Sequence, residues 1–192
     1  MAIKGLIRRG EARLACEYSG IATDHIHYLA LPFYETGRIE KNPMGEADVE
    51  IVRRLLQEVQ PHQIFVAGDL ADPHGTHRVC TDAVFAAIDM EKEAGAAWLN
   101  DCRVWMYRGA WAEWEIEHIE MVVPISPEEL RQKRNAILRH QSQMESAPFL
   151  GNDERLFWQR SEDRNHATAN LYNSLGLAAY EAMEAFVEYI PL

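Results

Sequence analysis

Two histidines, His74 and His77, are the residues of this sequence whose types and spacing are best suited to chemistry. They follow a short apolar run, Ile64 to Ala67, and a loop rich in Asp, Pro and Gly. If a helix begins at Thr76 or His77, the two imidazoles lie on the same side of the chain, because residues three apart on a helix are neighbours. Neutral imidazole is a good ligand for zinc. The pattern is therefore compatible with a metal site after the end of a strand.

From the residues alone, two interpretations of this histidine pair stay open. In the first, His74 forms hydrogen bonds within its loop and His77 occupies a helix N-terminus, with no ligand. In the second, both imidazoles serve a metal site, and the nearby carboxylates of Asp69 and Asp72 orient them. A catalytic zinc ion takes three protein ligands and a water molecule. The loop supplies at most two, so the others would come from elsewhere.

The elements that position this loop alternate between strands and helices, which is typical of a parallel sheet with helices packed on it. Apolar runs predict strands at 25–31, 64–67, 102–107 and 118–125. Helical spacing predicts helices at 3–18, 46–60, 79–94, 126–144, 153–174 and 177–189, the fourth of which opens with the capping box Ser126-Pro127-Glu128-Glu129. We expect an α/β fold with a mostly parallel sheet, an antiparallel or mixed edge at residues 102–125, and extra C-terminal helices. Ligands bind at strand ends in such sheets.

Composition limits the class of protein. With 192 residues and 47% apolar residues, the chain is long enough for one domain, or for one domain with an appendage. Its formal net charge of −11 argues against nucleic acid or an anionic membrane as a partner. No apolar run is long enough to span a bilayer, and no stretch has the features of a signal peptide. Three widely spaced cysteines suit a reducing cytoplasm.

Several motifs resemble one known family. Asp72-Pro73-His74-Gly75-Thr76-His77-Arg78 is similar to the second signature of the LmbE/PIG-L zinc-dependent deacetylases, His-Pro-Asp-His, with Gly75-Thr76 in place of the middle pair. Three other stretches resemble family motifs in the same order: Arg8-Arg9-Gly10-Glu11-Ala12 before Gly20-Ile21, Leu31-Pro32-Phe33-Tyr34-Glu35, and Lys133 to Gln143 with Leu138, His140 and Ser142. The resemblance covers about residues 3–145 and implies the Rossmann-type fold of that family.

The resemblance implies an activity and roles for residues. These enzymes remove an acetyl group from sugars of the N-acetylglucosamine type, so an amino sugar is the expected substrate and zinc the expected cofactor. By resemblance, His77 would be a metal ligand, and His74 would stabilise the developing oxyanion or protonate the leaving amine. Arg8 carries over as a substrate contact. Tyr34, which follows a predicted strand, and Asp72 are further candidates for substrate binding, and for Tyr34 packing of its loop is the alternative.

The chain departs from the family in one respect that bears on its site. The first family signature, His-Pro-Asp-Asp, supplies two metal ligands and the catalytic base, and it has no counterpart here. We expect residues 1–145 to form a deacetylase domain that lacks its first βαβ unit, and residues 146–192 to form a helical extension packed on it. The variety that it most resembles is fused behind a glucosamine-6-phosphate deaminase, which makes the N-terminal part of a longer polypeptide an expected partner.

Three expectations follow from this departure. The chain by itself should bind zinc weakly or not at all, and should be inactive. The strand edge left unpaired by the missing unit favours association between copies of the chain. The alternative to an enzyme is a deacetylase-like module that has lost its site and regulates or assembles the deaminase, which the Gly75-Thr76 pair favours.

Trp111 and Trp114 suit stacking on a sugar face and equally a subunit or domain contact.

Overall fold

A computed structural model describes residues 2–34, 36, 40–68, 75–110, 113–144, 154–176 and 179–190. Its helices are α1 (Ala2–Tyr18), α2 (Glu46–Val59), α3 (Thr76–Glu93), α4 (Pro127–Ile137), α5 (Gln141–Met144) and α6 (Phe157–Ser174). Its strands are β1 (Gln63–Ala67), β2 (Arg103–Tyr107), β3 (Met121–Ile125) and β4 (Ala182–Tyr189). Short 3₁₀ helices occupy Thr23–His25, Ala97–Asp101 and Ile116–His118. None of the helices in these ranges combines the length and apolarity needed to cross a membrane.

The chain divides into two compact units. The first unit comprises Met1–Tyr28, Ala110–Glu113 and Val122–Glu184, and contains α1, α4, α5 and α6. The second unit comprises Leu29–Gly109, Trp114–Met121 and Ala185–Leu192, and contains α2, α3, β1 and β2.

The four strands of the described ranges form one sheet in the order β1-β2-β4-β3. Strands β1 and β2 are parallel, with Ile64 opposite Val104. Strand β4 is antiparallel to β2, with Val104 opposite Tyr189. The predicted α/β class is confirmed. The sheet is mixed, however, so the expectation of a mostly parallel sheet is met only in the β1–β2 pair.

The helix predicted at residues 177–189 is wrong, because Ala182–Tyr189 is strand β4. Alanine, glutamate and methionine favour helices in isolation, but pairing with neighbouring strands overrides that preference. Ala182, Met183 and Ala185 are all buried, so the strand lacks the alternation of buried and exposed residues that would reveal it. The C-terminal part of the described chain is therefore not wholly helical, and α6 is the helix that it retains.

The strand predicted at residues 25–31 is absent from the structure. His25 ends a 3₁₀ turn, and the residues that follow it are irregular. Ala30 has a φ of 49°, in the left-handed region, which interrupts an extended run. An alternating pattern becomes a strand only where a neighbouring strand accepts its hydrogen bonds, and the sequence does not reveal that partner.

The core of the second unit lies between α2, α3 and the β1–β2 pair. The helices contribute residues three or four apart, which lie on one face of each helix. These core residues are Val49, Val52, Leu56, Ala83, Ala87 and Ile88, together with Val66 and Val104 of the strands. Asp48 is buried at the start of α2, where its carboxylate accepts hydrogen bonds from the backbone N–H groups of Phe33 and Gly45, both at 2.9 Å.

In the first unit, the predicted capping box opens α4. The Glu129 N–H donates to the Ser126 hydroxyl at 3.2 Å, and the Ser126 N–H donates to the Glu129 carboxylate at 2.8 Å. The sequence predicts one helix that reaches about Met144, but α4 ends at Ile137 and the short α5 follows. Helix α1 packs against both α4 and α5.

Candidate functional site

The carboxyl ends of β1 and β2 lie side by side in the second unit. The Gly68 N–H donates to the Tyr107 carbonyl at 2.8 Å, just beyond the last pair of the two strands. The Thr81 hydroxyl of α3 donates to the Ala67 carbonyl at 2.7 Å, which holds that helix against the end of β1. Because parallel strands end at the same edge, the groups that follow them are brought together there. We refer to this edge, with the first turn of α3, as the strand-end site.

Arg108 and Trp114 pack over Gly68 at the strand-end site. Arg108 Nη1 donates to the Gly68 carbonyl at 3.4 Å, and its guanidinium carbon lies 4.1 Å from the centre of the Trp114 ring. A Cβ atom at Gly68 would lie 2.5 Å from an atom of that ring, so only glycine fits beneath it. Since Arg108 already occupies one face of Trp114 and Gly68 lies against its edge, packing is favoured over sugar stacking for this indole.

The first turn of α3 contains the predicted metal ligand. Gly75 precedes the helix with a φ of 65°, and His77 is exposed in its first turn. The Lys41 ammonium donates to the Thr76 hydroxyl and lies 5.8 Å from the centre of the Tyr34 ring. The structure thus brings Tyr34 and Lys41 to the start of the helix that carries His77. Lys41 is not predictable from the sequence, because a single lysine in a loop has no spacing that would identify it.

The other predicted site residues do not all lie within one unit of the described chain. His74 and Asp72 lie outside the described residues, as does Asp69. Tyr34 is 46% exposed and belongs to the same unit as His77. Arg8 lies on α1 in the first unit.

A zinc ion needs more ligands than the described residues offer. Within the ranges that the structure describes, no group of three His, Cys, Asp or Glu side chains is arranged to hold a metal ion. Three protein ligands are the usual minimum for zinc. His77 alone therefore does not fit the ion. Further ligands would have to come from residues 69–74 or from another part of the polypeptide.

Arg8 belongs to a polar junction that joins two of the family-like motifs. The Glu11 carboxylate accepts hydrogen bonds from the Ser142 hydroxyl at 2.6 Å and from the Ser142 N–H at 2.7 Å. The side-chain hydrogen bond is the main cause that lowers the pKa of Glu11; burial opposes it, and His140 and Arg8 add to the lowering. Arg8 Nε and His140 Nδ1 are buried without a hydrogen-bond partner among the described residues. The substrate contact expected of Arg8 stays a prediction.

A second polar cluster in the first unit holds four charges, Lys133, Arg164, Glu113 and Glu184, which we call the four-charge network. Lys133 Nζ lies 2.7 Å from a Glu184 carboxylate oxygen, and Arg164 Nη1 lies 2.7 Å from Glu113. Arg164 also binds Glu184. Burial would raise the pKa of Glu184, but the charges and hydrogen bonds of Lys133 and Arg164 together outweigh it and lower that pKa. Two cations balance two carboxylates, so the buried charges of this network compensate one another.

Comparison with known proteins identifies one long relative and several solved structures with the same fold. No protein-family model matches it. It is 80% identical, over all 192 residues, to a protein of Bacteroides thetaiotaomicron named as glucosamine-6-phosphate deaminase-like. The chain spans 29% of the length of that curated relative.

Three solved deacetylases share the fold. The zinc-inhibited teicoplanin deacetylase Orf2 matches 96% of this chain and 74% of its own, with a TM-score of 0.51 and 19% identity. The N,N'-diacetylchitobiose deacetylase of Pyrococcus horikoshii matches 97% of this chain and 64% of its own, with a TM-score of 0.56 and 16% identity. The A40926 pseudoaglycone deacetylase Dbv21 has a TM-score of 0.54 and 12% identity, covering 97% and 72% of the two chains. The resemblance to LmbE/PIG-L deacetylases is therefore confirmed at the level of the fold.

Proposed function

We propose that this chain is part of a hydrolase that removes acetyl groups from amino sugars of the N-acetylglucosamine type. The observation that carries the proposal is the position of His77. It is exposed in the first turn of α3, beside the carboxyl ends of the parallel β1–β2 pair, in a chain with a deacetylase fold. Ligand sites of open α/β sheets lie at this edge.

The longer relative suggests the metabolic setting. Its name refers to glucosamine-6-phosphate deaminase, and this chain matches 29% of its length. Deacetylation of an N-acetylated amino sugar exposes the free amine that a deaminase acts on. We therefore propose that both activities reside in one polypeptide that degrades amino sugars.

In this proposal, each predicted residue has a role. His77 is one zinc ligand, and the other ligands lie outside the described residues. His74 stabilises the oxyanion or protonates the leaving amine, which is the usual work of an imidazole beside a tetrahedral intermediate. Arg8, Tyr34 and Asp72 bind the sugar.

Acetate release by the full-length polypeptide tests the proposal. The assay uses N-acetylglucosamine and its 6-phosphate with added zinc. The unmodified protein is expected to release acetate, and His77→Gln is expected to abolish most of that release. His118→Gln is the matched control, since His118 is also exposed and lies in the same unit. No acetate from the unmodified protein, or equal rates for His77→Gln, would refute the proposed function.

One observation favours a module without catalysis. Gly75 has a φ of 65°, whereas the family has proline at this position, and proline fixes φ near −65°. The chain therefore enters α3 by a path that the family signature cannot adopt. This alternative predicts no acetate release from any N-acetyl sugar, while deletion of the region changes the deaminase activity of the full-length polypeptide.

A further inference from the structure

Helix α1 presents an apolar face to solvent. Ile3, Leu6 and Leu14 are 75%, 67% and 51% exposed, and Ile7 is 49% exposed. The 3.6-residue period places these four side chains on one face of the helix, with Gly10 among them. We call this surface the α1 face. No residue that the structure describes lies within 4 Å of a Cβ atom built at Gly10, so the middle of the face is open.

The other side of α1 already has its contacts. Ala15 is buried, and Glu11 binds Ser142 through two hydrogen bonds. The helix also packs against α4 and α5. An amphipathic helix ordinarily turns its apolar stripe toward a core, yet here the partly polar side is packed and most of the apolar side chains are outside. Contiguous exposed apolar residues mark a surface that binds something.

We propose that the α1 face is covered by the part of the same polypeptide that lies outside these 192 residues. The 80% identical relative is much longer, since the chain spans 29% of it. The three deacetylases are matched over 64–74% of their chains, so part of each of those chains has no counterpart in these residues. Glycine in the middle of a helix face lets another backbone approach closely, which suits Gly10 to such an interface.

A second open surface points to the same occupant. Strand β1 is at the edge of the sheet among the described residues, and Phe65 on it is 49% exposed. The opposite edge strand, β3, contains Pro124, which lacks an N–H and discourages further pairing. Strand β1 has no proline, so it is the edge suited to another strand. A second copy of the chain is the alternative occupant of the α1 face.

Hydroxyl-radical footprinting of the full-length polypeptide tests this inference without using catalysis, so it succeeds or fails separately from the proposed function. Leu6 and Leu175 are matched probes, because they are 67% and 62% exposed in the structure of this chain. Oxidation of Leu6 and Leu14 is expected to be several-fold slower than that of Leu175. Equal oxidation rates for these leucines would overturn the inference. Protection of Leu6 and Leu14 that disappears on dilution to a monomer would also overturn it, since a second copy would then occupy the α1 face.

Paired substitutions give an independent measurement. Leu6→Gln in the full-length polypeptide is expected to lower the unfolding temperature of this region by about 4 °C or more, because it would place an amide in a packed interface. Leu175→Gln is expected to leave that temperature nearly unchanged. Small and equal effects of the two substitutions would overturn the inference.

Discussion

Substitution of Glu184 by glutamine in the four-charge network should strongly destabilise the first unit. Glu184 receives three hydrogen bonds: from Lys133 at 2.7 Å, from Asn165 at 3.0 Å and from Arg164. The Glu184 side chain is 15% exposed, and that of Arg164 is 5% exposed. Glutamine keeps the shape and one acceptor oxygen but removes the charge. Two cations would then share the single carboxylate of Glu113, so buried positive charge would be left uncompensated.

The expected cost follows from these contacts. Removing one partner of a buried ion pair costs about 3–5 kcal/mol. Arg164 keeps Glu113 at 2.7 Å, and Lys133 keeps the Asn165 side-chain oxygen at 2.7 Å. These remaining contacts place Glu184→Gln near about 3 kcal/mol, the lower end of that range. In a chain of this size, that corresponds to a fall of about 6–12 °C in the unfolding temperature.

Urea and thermal unfolding of the 192-residue chain would measure this loss. Asp163→Asn is the matched control, because the Arg155–Asp163 pair is also 2.7 Å long but both side chains are about half exposed. An exposed pair of this kind contributes less than about 1 kcal/mol. The pKa of Glu184 is lowered in the folded state, so its stabilisation is present above the ordinary carboxyl pKa and is lost as the pH falls through the folded pKa. The difference in unfolding free energy between the parent chain and Glu184→Gln should therefore become smaller as the pH is lowered.

A loss of unfolding free energy for Glu184→Gln no greater than that for Asp163→Asn would refute the role of Glu184 in compensating buried charge. A gap that widens as the pH falls below about 4 would contradict the sign of the pKa change.

Three further predictions concern the same chain. Gly75→Ala should lower the free energy of unfolding in urea by about 1–2 kcal/mol, because the backbone of Gly75 is in the left-handed region. Gly5→Ala within α1 should raise it by up to about 1 kcal/mol, because alanine favours a helix more than glycine does and its Cβ meets no neighbour. Asp48→Ala should cost about 2–3 kcal/mol in the same assay, because two backbone N–H groups lose their carboxylate acceptor. Glu11→Gln should flatten the acid side of a plot of unfolding temperature against pH, because the pKa of Glu11 is lowered mainly by Ser142 and its stabilisation disappears as the pH falls through that pKa.

Each of these predictions has an outcome that contradicts it. Equal effects of the two glycine substitutions would mean that the φ of Gly75 is not constrained. An Asp48→Ala chain as stable as the parent would mean that its two N–H groups find other acceptors. An unchanged acid slope in Glu11→Gln would assign that slope to other carboxylates.

Local signals identified most of the helices and three of the strands. The capping box at Ser126 and the spacing of Val52 and Leu56 in α2 are contained within one turn or two, so they are visible in sequence. Strand β4 is not visible in the sequence, since its residues favour a helix and its conformation depends on pairing with β2. The strand predicted after His25 is wrong for the opposite reason. The alternating pattern is present in the sequence, but no strand among the described residues pairs with this segment.

The candidate site was predictable only in part. The position of His77 in the first turn of α3 follows from the apolar run before the loop and the helix after it. Lys41 could not be found this way, since it reaches Thr76 from a residue 35 positions earlier in the chain. The packing of Trp114 on Arg108 and Gly68 likewise depends on how separate segments approach one another, which spacing does not encode.

Zinc titration of the full-length polypeptide by isothermal calorimetry tests most directly whether His77 belongs to a metal centre that is completed outside the described residues. We predict tight, stoichiometric binding by the full-length protein, loss of that binding in His77→Ala, and weak or no binding by the 192-residue chain alone. Unchanged binding by His77→Ala would contradict the role of this histidine. Tight binding by the isolated chain that His77→Ala abolishes would show instead that the site is complete within these 192 residues.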